Sequence, residues 1–174
     1  MAHQELLFKL WSLGITGGTW RWLKAYLTDR QQCVSVHNDH SSHLLVISGV
    51  LQGSILGPLL FLIFVNDLPN VLLSSFILLF ADDTKCAKTI SDVSDCPFLQ
   101  ADLNRLYQWS QDWNLHSYEE KCVVMHFSTR NAPEAPIFNY NIHGQELLVR
   151  NCHRDLGLLV TNNLHWNEHY DMLL

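Results

Sequence analysis

Residues 76–83 read FILLFADD, and the next five residues, 84–88, read TKCAK. The apolar run predicts a buried strand that is covered on both faces and has neighbours on both edges, and Asp82 and Asp83 predict a turn into a hairpin. Carboxylates taken out of water need a compensating cation or hydrogen-bond donors, and hard divalent cations such as Mg²⁺ prefer oxygen ligands. An isolated Asp-Asp pair is also common in a solvated turn, so the other segments have to decide between the two interpretations.

Length and composition predict one ordinary globular domain. The chain has 174 residues, of which 48% are hydrophobic and 16% are charged, and this balance argues against disorder. The formal net charge of -6 has the wrong sign for a protein that binds nucleic acid by itself. Either nucleic acid is not the partner, or the basic parts of the interface lie outside this sequence.

Cysteine and histidine usage predicts a reduced, intracellular protein. The five cysteines are odd in number and widely spaced, the sequence has no CxxC pair, and its N-terminus has no signal peptide. His37, His40 and His43 recur at every third residue, which keeps a zinc module open as an alternative. The apolar runs 55–65 and 71–81 are each shorter than the ~20 residues that cross a bilayer, so no membrane partner is expected.

Hydrophobic periodicity and turn residues predict a mixture of helices and strands. Residues 48–54 form a glycine-bearing loop, in which Gly49 and Gly53 permit the close approach of a ligand. The helix after this loop is apolar nearly all round and is expected deep in the core. Helices are predicted at His3–Leu13, Thr19–Thr28, around Pro58 and from Pro97 to Trp113. Strands are predicted at Gln31–His37, Leu44–Ile47, Cys122–Ser128, Ile137–Ile142, Gln145–Val149 and Arg154–Val160.

Three further stretches are predicted to have no functional role. Asp102, Arg105 and Gln108 are interpreted as the solvated face of the long helix. Residues 131–136 are predicted to be a loop, and the tail from Leu164 onward is predicted to form no further element.

Four sequence blocks follow one another in a characteristic order. They are ELLFKL at 5–10 with WRWLKAYL at 20–27, SGVLQGSILGPL at 48–59, FADD at 80–83, and Trp109 and Trp113 followed by Lys121, Cys122, Met125 and Phe127. Together these blocks resemble the reverse transcriptase of non-LTR retrotransposons, particularly the LINE and jockey-like lineages. The glycine loop and the Asp pair at this spacing are specific in combination, and the similarity covers nearly the whole chain.

The resemblance implies an α+β fold, in which a palm-type antiparallel sheet packs on helices. It also implies that residues 1–174 are a partial reverse transcriptase domain that lacks the start of the fingers, the first catalytic strand and the thumb. The implied activity is RNA-directed DNA polymerisation with an RNA template, a DNA primer and a dNTP as partners. Polymerases of this kind use two metal ions, Mg²⁺ or Mn²⁺, which activate the primer 3′ oxygen and stabilise the leaving pyrophosphate.

The resemblance also implies roles for individual residues. Asp82 and Asp83 match the metal-binding pair of the family, and Asp82 is the stronger candidate for a direct ligand. Lys121 matches the position of a general acid toward pyrophosphate, where a cation would also neutralise phosphate charge. The Leu156-Gly157 stretch resembles the primer grip. The loop that lies against the template and the incoming nucleotide is matched by Ser48, Gly49, Gln52 and Gly53.

Departures from the family pattern predict little or no activity for the isolated chain. The third metal-binding Asp of the family lies on a strand just before the helix that begins at His3, and this sequence begins too late to include it. Two carboxylates on one turn do not readily hold two cations that each demand near-octahedral oxygen geometry. Family members also usually have Pro at the position of Leu51, and Leu-Asn at the position of Ser117-Tyr118.

Two alternatives to a complete enzyme remain open. One is a non-enzymatic palm-fold interaction module, which self-associates through the apolar edge left open beside residues 76–80. The other is a longer protein that begins upstream of Met1 and supplies the third Asp.

Overall fold

The computed structural model describes residues 1–115, 119–128, 136 and 138–173. The chain divides into two compact units, each with its own internal packing. The first unit contains Met1–Leu72, Ile77–Lys85 and Gln108–His116, and the second contains Leu73–Phe76, Cys86–Tyr107 and Ser117–Leu174.

Three helices build the core of the first unit. They are α1 (His3–Ser12), α2 (Gly17–Leu27) and α3 (Leu56–Val65), and a 3-10 turn follows at Leu68–Val71. Leu6 and Leu10 lie on one face of α1 because of their helical spacing, and both are fully buried together with Phe64 of α3. The predicted helices are confirmed with small shifts of their ends. The second begins at Gly17, after Thr16 in the N-cap position, rather than at Thr19.

Helix α3 is only half buried, so its predicted place deep in the core is wrong. Leu60 and Phe64 are buried, but Leu59 and Leu62 are 52% and 56% exposed. The apolar sequence supplies a core-forming side chain on every face, but α1 packs against one face only. Burial of the other face needs a partner that the helix's own sequence does not specify.

The segment between α2 and the glycine loop is an exposed β ribbon. Its strands are β1 (Gln31–Gln32), β2 (Ser35–Val36), β3 (Asp39–His40) and β4 (Leu44–Leu45). The outer pair β1–β4 and the inner pair β2–β3 are both antiparallel. His37, with φ 54°, makes the turn between the inner strands. The strand predicted at Gln31–His37 is therefore interrupted and the one predicted at Leu44–Ile47 is shortened, because no buried face holds these residues in one continuous ladder.

The stretch FILLFADD forms the predicted hairpin but not the predicted buried strand. β5 (Phe76–Phe80) pairs with β6 (Asp83–Ala87) in a sheet of two strands. Phe76, Leu78 and Phe80 are 73%, 64% and 62% exposed. The expectation of cover on both faces and neighbours on both edges is wrong in the described part of the chain, because β6 is the one strand hydrogen-bonded to β5 there.

The long predicted helix is present as α4 (Cys96–Asp112), which begins after a 3-10 turn at Val93–Asp95. Asp92 caps this turn, since its carboxylate accepts from Ser94 N–H while Asp95 reaches back to the backbone of Asp92. In the second unit, Cys96, Tyr140 and Leu147 form a buried apolar cluster. A further 3-10 turn covers Glu119–Lys121, and the tail forms α5 (Asn167–Leu173), where no element was predicted.

Short strands make up the rest of the second unit. They are β7 (Val123–Val124), β8 (Asn141–Ile142), β9 (Gln145–Glu146), β10 (Leu148–Val149), β11 (Cys152–Asp155) and β12 (Leu158–Thr161). The predicted turn at His143-Gly144 is confirmed, with φ of 52° and 79°. Leu156-Gly157 makes a second turn of this kind, so the single strand predicted at Arg154–Val160 is wrong and is replaced by the antiparallel pair β11–β12. The strand predicted at Cys122–Ser128 shrinks to β7, because its parallel partner β10 is only two residues long.

The chain is a mixture of helices and small sheets, as the α+β expectation requires. Its described strands form six two-stranded sheets, and the pair β7–β10 is parallel. A single palm-type antiparallel sheet, and the segments expected to be missing, stay predictions. Of the loop predicted at residues 131–136, all but Pro136 lies outside the described residues, as does Ile137 of the strand that follows.

Candidate functional site

The Asp82–Asp83 pair lies at the exposed tip of the β5–β6 hairpin. Ala81 and Asp82 make the turn, and Asp83 is the first residue of β6. Ala81 adopts φ 50°, a left-handed conformation that costs a residue with a Cβ roughly 1–2 kcal/mol. Both carboxylates are exposed to solvent. The expectation that these carboxylates need a cation because they are buried is therefore wrong. The pair instead offers two accessible oxygen donors of the type that hard divalent cations prefer.

The glycine loop is held at its two ends and exposed in its middle. At its start, Gly49 N–H donates to Met1 O at 2.8 Å, and His3 Nε2 lies 2.8 Å from Gly49 O. At its end, Ser54 Oγ donates to Leu51 O at 2.7 Å and accepts from Gly57 N–H at 3.0 Å, which joins the loop to α3. The middle of the loop is the part that faces solvent.

The four predicted loop residues fit an accessible surface. Ser48, Gln52 and Gly53 are exposed, and Gly49 is half-buried. Gly49 and Gly53 have φ of 84° and 78°, which favours glycine at both positions. An added Cβ at either glycine would meet no atom within 4 Å, so space is open for a ligand to approach.

Lys121 lies in a different unit from the other predicted site residues. It ends the 3-10 turn Glu119–Lys121, and its side chain is exposed. Asp82, Asp83 and the glycine loop belong to the first unit, whereas Lys121 belongs to the second. Its role toward pyrophosphate stays a prediction.

Asp82 and Asp83 supply the oxygen ligands that a divalent cation prefers, but two carboxylates are too few to complete a metal site. Across the described ranges, no group of three or more His, Cys, Asp or Glu side chains could hold a metal ion. Asp82 and Asp83 thus supply two carboxylates of a site that needs more ligands. His37, His40 and His43 are exposed on the β ribbon and form no such group either, so the structure does not support the zinc alternative.

The burial of one carboxylate in the second unit was not predicted from the sequence. Asp102 is 0% exposed and accepts hydrogen bonds from Leu73 N–H and Ser74 N–H, both at 3.0 Å, and from Ser74 Oγ at 2.8 Å. Arg105 Nη1 donates to it at 2.7 Å. Burial alone raises the pKa of Asp102, but the hydrogen bonds from Leu73 N–H and from Ser74 outweigh it and hold the pKa far below its usual range. The interpretation of Asp102 as a solvated residue is wrong.

The helical spacing of α4 contained a signal for this burial. Asp102 lies three residues after Leu99 and four before Leu106, and Leu103 is its neighbour. A charged residue on the apolar stripe of a helix either ends that stripe or is buried with partners. The stripe continues beyond Asp102, which favours the second case.

A buried lysine joins three segments of the first unit. Lys9 is 5% exposed, and its Nζ donates to Phe64 O at 2.6 Å and to Asp67 Oδ1 at 2.5 Å. The same ammonium lies 3.8 Å from the ring centroid of Trp113, 4.5 Å from that of Trp109 and 4.7 Å from that of Phe64. Burial lowers the pKa of Lys9, and the hydrogen bond and charge of Asp67 oppose this shift. The site therefore stabilises α1 against α3 and the end of α4.

Replacing Lys9 is expected to destabilise the first unit. Lys9→Ala removes the cation from its three rings and the carbonyl, and leaves a cavity, so we expect the free energy of unfolding to fall by about 2–4 kcal/mol. Lys9→Met keeps the apolar stem and should cost clearly less. Urea denaturation of both variants measures the difference. Wild-type stability in Lys9→Ala would contradict this account of the cluster.

Family comparison places the chain among polymerases. The family model described as "Reverse transcriptase (RNA-dependent DNA polymerase)" matches residues 1–166. Among curated proteins, the RNA-directed DNA polymerase from mobile element jockey of Drosophila melanogaster is 28% identical over 159 residues, which are 84% of this chain and 17% of that protein. The probable RNA-directed DNA polymerase from transposon X-element, also of Drosophila melanogaster, is 29% identical over 154 residues, which are 84% of this chain and 16% of that protein.

A third relative covers almost the whole sequence. The jockey polymerase of Drosophila funebris is 28% identical over 181 aligned positions, which take in 98% of this chain and 19% of that protein. The chain thus spans less than a fifth of the length of these relatives. No solved structure matches it significantly. In the part of the chain that the structure describes, no helix is both long and apolar enough to cross a membrane.

The match runs through every block on which the resemblance was based. The glycine loop, the Asp82–Asp83 turn and Lys121 all fall within residues 1–166. The relatives are named as polymerases of mobile elements. The chain belongs to the reverse transcriptase (RNA-dependent DNA polymerase) family and is similar to the polymerases of non-LTR mobile elements of the jockey type.

Proposed function

We propose that residues 1–174 are one partial reverse transcriptase domain of an RNA-directed DNA polymerase from a non-LTR retrotransposon. The observation that carries this proposal is the family match over residues 1–166, with the Asp82–Asp83 pair presented on an exposed hairpin tip inside it. The template is RNA, the primer is DNA and the substrate is a dNTP. These partners are found inside the cell, so we place the protein there.

The proposed chemistry is two-metal nucleotidyl transfer with Mg²⁺ or Mn²⁺. Asp82 and Asp83 would hold the cation, with Asp82 as the principal ligand. When bound, the two ions would activate the primer 3′ oxygen and stabilise the pyrophosphate that leaves. The accessible carboxylates of the hairpin tip are the chain's own contribution to that site.

The glycine loop and Lys121 have the remaining proposed roles. Gln52 and Gly53, with Ser48 and Gly49, contact the template and the incoming nucleotide, and the open space above both glycines supports this role. Lys121 neutralises phosphate charge and donates a proton to the leaving pyrophosphate. An ammonium group suits both tasks because it is a strongly hydrated point charge with three donors.

The isolated chain is expected to incorporate no nucleotide. Two carboxylates on one turn do not satisfy two cations that each require near-octahedral oxygen ligation. The measurement is primer extension on an RNA template with Mg²⁺ or Mn²⁺, with a complete reverse transcriptase as the positive control. Incorporation by the 174-residue chain that Asp82→Ala abolishes would overturn the prediction of inactivity while supporting the assignment of Asp82.

A non-enzymatic interaction module is the second candidate function. It is favoured by the apolar face of β5, where Phe76, Leu78 and Phe80 are all more than half exposed. An apolar face of this kind on a two-stranded sheet invites pairing with another chain. Sedimentation would show association that Leu78→Lys abolishes and that the double variant Asp82→Asn/Asp83→Asn leaves intact. A monomer at all accessible concentrations would contradict this candidate.

A further inference from the structure

The first three residues of the chain fix the start of the glycine loop. Ala2 forms an antiparallel β bridge with Ser48, and Gly49 N–H donates to Met1 O at 2.8 Å. His3 Nε2 lies 2.8 Å from Gly49 O, although the two residues are 46 positions apart in sequence. The bridge and the Gly49–Met1 hydrogen bond fix the backbone of this stretch. The imidazole binds the other backbone polar group of Gly49, its carbonyl oxygen.

The chemistry of the two atoms assigns the hydrogen in the His3–Gly49 contact. A carbonyl oxygen only accepts hydrogen bonds, so His3 Nε2 must carry the hydrogen and donate. The neutral ring is therefore the Nε2–H tautomer. This arrangement suits a residue that holds a position and not one that transfers a proton.

The burial of His3 shields its contact with Gly49 from water. His3 is 7% exposed, so its ring has little competition from water for the Gly49 carbonyl. Gly49 itself has φ 84°, a backbone conformation that the loop must maintain at this point. A loop whose conformation is fixed before its ligand arrives loses less conformational entropy on binding.

We propose that His3 is a positioning residue, which donates from Nε2 to Gly49 O and thereby preorganises the glycine loop for the template and nucleotide. This inference rests on the proposed role of the loop. Ser54 anchors the opposite end through Leu51 O and Gly57 N–H. The exposed Gln52 and Gly53 then lie on a short span between two fixed ends, which limits the conformations that they adopt.

The tautomer of His3 provides a first test that needs no variant. In the ¹⁵N spectrum of the 174-residue chain at a pH where His3 is neutral, Nε2 should give the signal of a protonated ring nitrogen and Nδ1 that of an unprotonated one. A neutral His3 with its hydrogen at Nδ1 would overturn the proposal, because Nε2 would then have nothing to donate.

Two substitutions provide the second test. Gln places an amide N–H near the position of Nε2, whereas Leu fills similar space without a donor. In His3→Leu we expect exchange of the Gly49 amide hydrogen to accelerate at least about tenfold, and in His3→Gln we expect exchange near the wild-type rate. The amide of Leu23, a buried residue inside α2, is the control for opening of the unit and should keep its rate.

Two results of this exchange measurement would overturn the proposal: an unchanged Gly49 rate in His3→Leu, or equal acceleration by Gln and Leu. The measurement uses no nucleotide, so it is independent of whether the loop binds one. Failure of this segment to support primer extension when placed in a complete polymerase would count against the proposed function and leave the His3–Gly49 result intact. If His3→Leu fails to fold, the tautomer measurement on the wild type still decides.

Discussion

Asp102→Ala is expected to lower the free energy of unfolding of the second unit by about 3–5 kcal/mol, because it removes the buried acceptor of several hydrogen bonds. The substitution leaves Leu73 N–H and Ser74 N–H without their acceptor. It also removes the carboxylate that pairs with Arg105, whose side chain is 39% exposed and regains part of its hydration. Unsatisfied buried donors account for most of the expected cost.

Two matched variants separate this hydrogen-bond account from a general effect of altering α4. Asp112 is exposed at the end of the same helix, and its carboxylate accepts a hydrogen bond from Gln108 Nε2 at 2.8 Å. Asp112→Ala should change stability by less than about 0.5 kcal/mol. Asp102→Asn keeps the shape and one acceptor oxygen, so its cost should lie between the two. Chemical denaturation of all three variants measures the order, and equal effects of Asp102→Ala and Asp112→Ala would contradict the account.

Local turn chemistry was the part of the fold that could be predicted from sequence. The turn at His143-Gly144 was predicted correctly. A glycine-containing pair between two strand-forming runs favours a tight hairpin in which both turn residues adopt positive φ. The β5–β6 hairpin was predicted for a similar reason, since polar Asp82 and Asp83 interrupt an apolar run. Such signals lie within a few residues of one another, so no distant partner is needed to interpret them.

Burial was predicted least well, because it depends on partners far away in sequence. The apolar runs of α3 and β5 show that these segments can be buried, but not that a second layer covers both faces. The backbone donors to Asp102 are 28 and 29 residues away, and Asp67 is 58 residues from Lys9. Helical spacing places both charged residues beside apolar neighbours, but it does not identify the donors and acceptors that make burial tolerable.

The environment of the candidate site was not predicted correctly, and the roles of its residues stay predictions. The family blocks indicated Asp82, Asp83 and the glycine loop, and the structure presents all of them on accessible surfaces of the first unit. The cost of burying two carboxylates, which first suggested a cation, does not arise because the pair is exposed. The tether from His3 to Gly49 could not be predicted, because a single His gives no indication of which carbonyl it contacts.

Asp82→Asn is expected to abolish polymerase activity wherever this segment operates in a complete enzyme. The variant removes the negative charge of the principal proposed metal ligand while keeping its size. We expect the rate of primer extension to fall at least about a thousandfold, which corresponds to about 4 kcal/mol of lost transition-state stabilisation. Asp83→Asn should lower the rate less, because Asp82 is the principal ligand.

The central claim is tested most directly in a chimera, in which residues 1–166 replace the matching segment of the Drosophila melanogaster jockey polymerase. Primer extension on an RNA template is measured with Mg²⁺ for the parent chimera, Asp82→Asn, and the control Asp39→Asn, an exposed acid on the β ribbon of the same unit. The account predicts an active parent chimera, loss of activity in Asp82→Asn and unchanged activity in Asp39→Asn. Full activity of Asp82→Asn in an active chimera would contradict the claim that this turn binds the catalytic metal.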